Sequence, residues 1–293
     1  MKRILRATKR AVRGLGARPD TYDQVWDRYV RRDFERIRRS KPHRETDLEP
    51  WRVLNTTDDE YRWPGDEWGD EASARTLMEE CLRPLDQTLA ADEVRELCEL
   101  GSGAGRFTTL ALERYGRARI HAFDVSTAFT TALRRRCRSH VESGRLCCHL
   151  LDSDPLFVMR TLEAADLERK VDALYSFDAM VHVDLHTLMV YWLTASRVLR
   201  PGGVVAMNVA DACNEMGFLK LLHNAPGAYA RRGSAGPHFM WISREIVETC
   251  LTRIGFVVDF HPGNGRDLSF SARLADPEAA LPWLQRAGAG WLP

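Results

Sequence analysis

The feature that most constrains the fold of this sequence is a regular alternation of short apolar runs with amphipathic segments, which begins near residue 93. Such alternation is typical of a parallel sheet whose strands are joined by crossover helices. Strands are predicted at 94–100, 119–124, 146–151, 171–177, 203–209, 256–261 and 268–274, and helices near 105–115, 127–141, 155–165, 185–198 and 243–254. Only Pro-Gly-Asn-Gly separates the last two strands, which predicts an antiparallel hairpin.

The predicted fold is therefore α/β: a Rossmann-like, doubly wound, mostly parallel seven-stranded sheet with an antiparallel last strand, plus an N-terminal helical cap. The cap is inferred from residues 20–40, where apolar side chains recur at helical spacing. We expect this helix to dock over the core beside residues 63–68, because a free helix would not keep so wide an apolar face. The predicted regions are a basic flexible tail (1–18), a helical cap (19–90), a core domain (91–275) with an insertion (210–242), and a C-terminal tail (276–293).

The charge of the chain is balanced. With 42 Lys and Arg against 41 Asp and Glu, the formal net charge is +1, which indicates no general affinity for nucleic acid or anionic membrane. Only the tail 1–18 is strongly basic, and it predicts at most weak peripheral membrane contact. No stretch has the length of a membrane span, no secretory signal is recognised, and the seven cysteines form no C-x-x-C pair. These features predict a cytoplasmic protein.

A glycine-rich loop follows the first predicted strand. It reads Glu99-Leu-Gly-Ser-Gly-Ala-Gly-Arg106, and its glycines allow a sharp turn and the close approach of a ligand. A dinucleotide-binding fingerprint would need glycine at the position of Arg106. The loop therefore argues against a nicotinamide cofactor.

Acidic residues end the next two predicted strands. Asp124 lies 19 residues beyond Gly105, and a carboxylate there can accept hydrogen bonds from both hydroxyls of a ribose. Asp152 closes the third strand, from which it could reach an adenine amino group, although Asp-Ser-Asp-Pro is also a good helix-capping sequence. A Leu-Arg-Pro-Gly-Gly segment (199–203) then leads into the fifth strand.

In this order the motifs resemble the class I S-adenosylmethionine-dependent methyltransferase family over residues 90–275. The resemblance implies S-adenosyl-L-methionine as the cofactor, with the glycine loop at its methionine portion, Asp124 at the ribose, Asp152 at the adenine and Glu99 at the ammonium end, directly or through water. The residues so assigned to the cofactor are Glu99, Gly101, Ser102, Gly103, Gly105, Asp124, Val125, Asp152 and Phe177. The Trp-Pro-Gly-Asp-Glu-Trp-Gly segment (63–69) adds a weaker resemblance to methyltransferases that tailor glycans or natural products.

Methylation of a hydroxyl requires a base to remove its proton, and two histidines are candidates for this catalytic role. His182 follows the fourth predicted strand at its carboxyl end, and Asp178 or Asp184 could orient its ring. His238 lies in the insertion 210–242, which the resemblance implies binds the acceptor. Either histidine could instead have a purely structural role. Asp178 and Asp211 follow adjacent strands without the Asp-Asn pair of metal-assisted relatives, so no metal is predicted.

The sequence thus predicts a methyltransferase that modifies a small-molecule or glycan acceptor in natural-product biosynthesis, by O-methylation. Two alternatives stay open: methylation of a peptide or small-molecule carboxylate or amine, and a non-catalytic scaffold that keeps the cofactor fold. Nucleic acid is not a predicted partner, because the chain lacks an Asn/Asp-Pro-Pro-Tyr/Phe/Trp tetrapeptide, which would hold a flipped base.

Overall fold

A computed structural model describes residues 21–36, 62–230, 238–263 and 265–288 of the chain. Its centre is a seven-stranded sheet with the strand order β3-β2-β1-β4-β5-β7-β6. The strands are β1 (Glu96–Leu100), β2 (Arg119–Asp124), β3 (Leu146–Leu150), β4 (Val171–Ser176), β5 (Leu199–Ala210), β6 (Phe256–His261) and β7 (Asp267–Leu274). Strands β1 to β5 pair in parallel, and β7 is antiparallel to both β5 and β6. This topology confirms the predicted fold class.

Strand β5 begins four residues before its predicted start at 203. Leu199 pairs with Val171 of β4, and the register then shifts before Val204 pairs with Ala173. The Pro-Gly-Gly segment lies in this shift, so a bend that reads as a turn in the sequence is part of the strand.

The helices lie around the sheet. They are α1 (Tyr22–Arg28), α2 (Glu71–Asp86), α3 (Arg106–Arg114), α4 (Thr127–Arg136), α5 (Arg138–Glu142), α6 (Phe157–Ala164), α7 (Leu185–Val198), α8 (Glu215–Ala230), α9 (Arg244–Arg253) and α10 (Leu281–Ala287). Helix α1 continues as a π-helical segment, Tyr29–Phe34, and 3₁₀ turns occur at Asp66–Trp68 and Met180–His182. The predicted helix over 127–141 is two helices, because the backbone leaves helical geometry at Cys137.

Two hydrophobic cores lie on opposite faces of the sheet. Leu97 joins one core and Cys98 the other, as the alternation of side chains along a strand requires. Helix α7 contributes Trp192 to the core that contains Cys98. Helix α2 contributes Met78 and Leu82 to the opposite core, together with residues of α3. We therefore assign α2 to the core layers, although it falls within the predicted cap.

The structure describes part of the C-terminal tail and none of the basic tail. The basic tail 1–18 lies outside the described residues, so its predicted contact with a membrane surface stays a prediction. The described part of the C-terminal tail contains α10. In the described segments, no helix combines the length and apolar character needed to cross a membrane.

Candidate active site

The glycine loop joins β1 to α3 with several residues in left-handed geometry. Gly101 has φ +68°, and a Cβ atom there would lie 2.3 Å from the Cβ of Ala179. Gly105 has φ +89°, and its Cβ would lie 2.6 Å from Cδ1 of Leu133. Both positions therefore exclude a side chain by backbone conformation and by space.

Asp124 lies at the end of β2 beside this loop. Its Oδ2 accepts a hydrogen bond from the backbone N–H of Gly103 at 2.8 Å, and its Oδ1 accepts one from the backbone N–H of Ser126, also at 2.8 Å. The side chain is 6% exposed, and this burial raises the pKa of Asp124 to about 6. The two amide bonds hold the carboxylate at the cavity with acceptor capacity left for a ligand.

A cavity of about 800 Å³, open mouth included, lies above the carboxyl ends of β1, β2 and β4. Ligands bind in this position in open α/β sheets. Seven residues predicted from the sequence line it: Gly101, Ser102, Gly103, Asp124, Val125, Phe177 and His182. The structure therefore brings together most of the predicted cofactor residues and one of the two candidate bases.

Ser102 indicates that the cavity suits a polar ligand. Its side chain is 5% exposed, and its Oγ has no hydrogen-bond partner among the described residues. A buried hydroxyl without a partner costs free energy, which a ligand that bonds to it would recover. Ser102, the glycine loop and Asp124 are therefore the residues that would hold the cofactor.

Glu99 lies behind the cavity and does not line it. Its Oε2 accepts hydrogen bonds from Thr108 Oγ1 at 2.6 Å and from the Tyr175 hydroxyl at 3.2 Å. Burial raises the pKa of Glu99 to about 8 despite these two bonds. The contact with the ammonium end that the resemblance implied, directly or through water, stays a prediction.

Gly105 and Asp152 also lie outside the lining, contrary to expectation. Gly105 precedes α3 and packs against α4, so its role is to allow the turn. Asp152 is exposed, and its Oδ1 accepts a hydrogen bond from the backbone N–H of Asp154 at 2.6 Å. This is the local capping role that the sequence left open as an alternative to adenine binding.

His182 lies in the 3₁₀ turn after β4 and lines the cavity. Its Nδ1 lies 3.1 Å from the backbone oxygen of His238. The rings of Trp26 and Phe239 meet its imidazole edge-on at 5.1 and 4.9 Å. Burial among these groups lowers the pKa of His182 to about 4. The ring is therefore neutral at physiological pH, and it is a weaker base than an ordinary histidine.

His238 contributes its backbone oxygen to the site, where it contacts His182 Nδ1. Its side chain does not line the cavity. No described residue of the insertion 210–242 lines the cavity. The acids predicted to orient His182 have other partners. Asp184 accepts hydrogen bonds from the backbone of α7, and Asp178 is paired with Arg106.

Arg106 and Asp178 form a partly buried polar network at the cavity wall that sequence reasoning missed. Arg106 Nη1 lies 3.0 Å from Asp178 Oδ2, and both residues line the cavity. Asp178 has the left-handed φ of 61°, and its backbone N–H donates to Asn208 Oδ1 at 2.8 Å. Asn208 Nδ2 in turn lies 3.3 Å from Asp267 Oδ2. The only sequence signal was an arginine where a rival fingerprint needs glycine. In the described part of the chain, no group of three or more His, Cys, Asp or Glu side chains could hold a metal ion.

The cap supplies the aromatic wall of the cavity. Tyr22 and Trp26 of α1 and Trp68 of the 63–69 segment line it. The Trp26 ring lies 6.0 Å from that of Trp68 and 6.2 Å from that of Phe129 on α4. Helix α1 thus docks over the cavity beside residues 63–68, where the sequence analysis expected it.

One family of known proteins matches the central part of the chain. Residues 97–203, from β1 into β5, match the family model described as methyltransferase domain. No curated protein matches the chain. The match covers about a third of the chain and agrees with the predicted methyltransferase domain.

Solved structures that are similar to this chain include three methyltransferases whose names indicate different chemistry. The CurJ carbon methyltransferase is 17% identical with a TM-score of 0.49, over 69% of this chain and 54% of that one. An O-methyltransferase family protein from Burkholderia thailandensis is 16% identical with a TM-score of 0.49, over 70% and 60%. A phosphoethanolamine N-methyltransferase 2 from Haemonchus contortus is 17% identical with a TM-score of 0.46, over 62% and 38%. The chain thus spans about half the length of the first of these, and similarity at this level does not define an acceptor.

Proposed function

We propose that this protein transfers the methyl group of S-adenosylmethionine to a hydroxyl oxygen of a small-molecule or glycan acceptor. The observation that carries the proposal is His182, a neutral imidazole in the cavity wall whose Nδ1 bonds to a backbone carbonyl. A hydroxyl acceptor needs a base to remove its proton, whereas an ionised carboxylate acceptor does not.

The residues of the chain have separate tasks in this reaction. The glycine loop, Ser102 and Asp124 bind the cofactor, which supplies a methyl group on a positively charged sulfur. His182 takes the hydroxyl proton on Nε2 as the oxygen attacks. The aromatic wall around Trp26 and Trp68 excludes water and orients the acceptor, and alignment of the reacting atoms supplies most of the rate enhancement.

The test is a turnover assay of the full chain with radiolabelled cofactor and a panel of hydroxyl, amine and carboxylate acceptors. We expect His182→Ala to lower kcat on a hydroxyl acceptor roughly 10²–10⁴-fold, with cofactor affinity unchanged. His238→Ala is the matched control, since it removes an imidazole but keeps the backbone oxygen that holds His182. Turnover that survives His182→Ala would indicate an amine or carboxylate acceptor. Cofactor binding without transfer to any acceptor would indicate a scaffold protein.

A further inference from the structure

Helix α1 is hydrogen-bonded to the core through the carboxylate of Asp27. Asp27 Oδ1 accepts a hydrogen bond from Ser126 Oγ at 2.6 Å and another from the backbone N–H of Ala128 at 3.0 Å. Both donors lie at the start of α4, where free backbone N–H groups and the helix dipole favour a negative charge. Asp27 thus anchors the helix that carries Tyr22 and Trp26 over the cavity.

The same serine contacts the carboxylate that faces the cofactor. The backbone N–H of Ser126 donates to Asp124 Oδ1 at 2.8 Å, while its hydroxyl donates to Asp27. Ser126 is fully buried. A change in the position of Asp124 on cofactor binding would therefore be transmitted directly to the anchor of α1.

The packing of α1 itself is shallow. None of the residues Tyr22–Arg28 is buried, and the helix is 7 residues long. A helix of this length is unstable on its own, so its position depends on its contacts with the core. These contacts are the Asp27 hydrogen bonds, the rings around Trp26 and, in its continuation, the buried Phe34 and the Tyr29 ring stacked 6.0 Å from that of Phe129. They are local, so the helix can open without global unfolding.

We propose that α1 is a lid over the cofactor cavity and that Asp27 is the latch that holds it closed. Asp27 is a positioning residue in this account, because it acts through Ser126 and α4. The lid opens for the cofactor to enter and for the demethylated product to leave. The inference rests on the proposed function, since it requires that the cavity bind S-adenosylmethionine.

The experiment measures how fast S-adenosylhomocysteine leaves the full-length protein, by stopped-flow displacement with excess S-adenosylmethionine. We expect Asp27→Ala to raise the dissociation rate about tenfold or more, because two hydrogen bonds to a charged group are lost. Asp27→Asn keeps an accepting oxygen and loses only the charge, so it should stay within about threefold of the wild type. Asp23→Ala is the matched control: it removes the same charge from an exposed position on the same helix.

A second measurement needs no variant. Helix α1 and its continuation contain Arg28 and Arg31, so trypsin cleavage there, mapped by mass spectrometry, reports lid opening. Saturating S-adenosylhomocysteine should slow these cuts in the wild type. Equal cleavage with and without it, or a release rate unchanged by Asp27→Ala, would overturn the latch. Absence of any binding to the wild type would instead contradict the proposed function.

Discussion

The imidazole of His182 is held by the backbone carbonyl of His238, 3.1 Å from Nδ1 and 56 residues away in sequence. Because a carbonyl oxygen can only accept, Nδ1 must carry the proton and Nε2 must carry the lone pair. The chain that returns from the insertion therefore sets the tautomer of the proposed base, although its own histidine side chain stays out of the cavity.

The pH dependence of the reaction should reflect this buried histidine. Burial is the main cause that lowers the pKa of His182 to about 4, and the nearby Arg266 and Lys220 add to it. A lowered pKa means that the neutral, basic form persists down to that pH. At saturating cofactor, we expect kcat/KM for the acceptor to be level from pH 5 to 7 and to fall only as the pH approaches about 4.

Initial rates over this range would test the profile, with circular dichroism at each pH as a check that the protein stays folded. A midpoint near 6.5, the ordinary histidine value, would show that His182 is not the base or is not buried in solution.

Asp124 should control cofactor affinity. Asp124→Ala removes the acceptor of the ribose hydroxyls, and the loss of two charge-assisted hydrogen bonds should weaken binding by roughly 2–4 kcal/mol. Since burial raises the pKa of Asp124 to about 6, wild-type affinity should also decline as the pH falls below that value and the carboxylate is protonated. Calorimetry from pH 5 to 8 measures both effects. Asp124→Asn, which does not titrate, should give a flat profile, and an unchanged affinity in Asp124→Ala would contradict the assignment.

Alanine substitutions at two glycines of similar backbone conformation should distinguish the cost of backbone strain from the cost of a steric clash. Gly101 and Gly144 have φ of +68° and +75°, but a Cβ atom at Gly144 meets nothing within 4 Å. Gly144→Ala should therefore cost only the strain of left-handed geometry, about 1–2 kcal/mol of unfolding free energy. Gly101→Ala should cost more and abolish cofactor binding, because its Cβ would clash with Ala179. Urea denaturation and calorimetry of both variants would check this, and equal effects would refute the clash.

The sequence predicted well what depends on local pattern. The strand bounds at 119–124 and 256–261 and the helix at 185–198 agree with the structure to the residue, because apolar periodicity and turn residues mark them. The glycine loop and Asp124 were likewise identified, since their spacing along one βαβ unit places them together. Prediction was weaker at the fourth helix, where no glycine or proline marks the break at Cys137.

What the sequence could not predict depends on contacts between distant segments. Whether Asp152 faces the cavity or its own backbone is decided by the loop after β3, not by its place in the motif order. The pairing of Arg106 with Asp178 joins residues 72 apart. The latch of Asp27 on Ser126 spans 99 residues and carries no motif.

Truncation should show how much of the N-terminal region the reaction needs. Removal of residues 1–18 should leave turnover of a dissolved acceptor unchanged, whereas removal of 1–70 deletes the wall formed by Tyr22, Trp26 and Trp68 and should abolish it. Rates with labelled cofactor would compare the two proteins, and a thermal melt would show whether the shorter one folds. A folded 71–293 protein that still works at the full rate would show that the aromatic wall is dispensable.

Glu99 should make the stability of the fold depend on pH. Burial raises its pKa from 4.5 to about 8, so the folded state holds a proton that the unfolded chain releases. The contribution of Glu99 to the unfolding free energy is therefore largest below pH 4.5. It falls by up to about 1.4 kcal/mol per pH unit as the pH rises from 4.5 and is lost by about pH 8. Glu99→Gln keeps an acceptor for Thr108 and Tyr175 but cannot ionise, so its unfolding free energy should decline less from pH 5 to 8. Urea denaturation of both proteins at each pH gives the two slopes, and parallel slopes would mean that Glu99 is not protonated in the folded state.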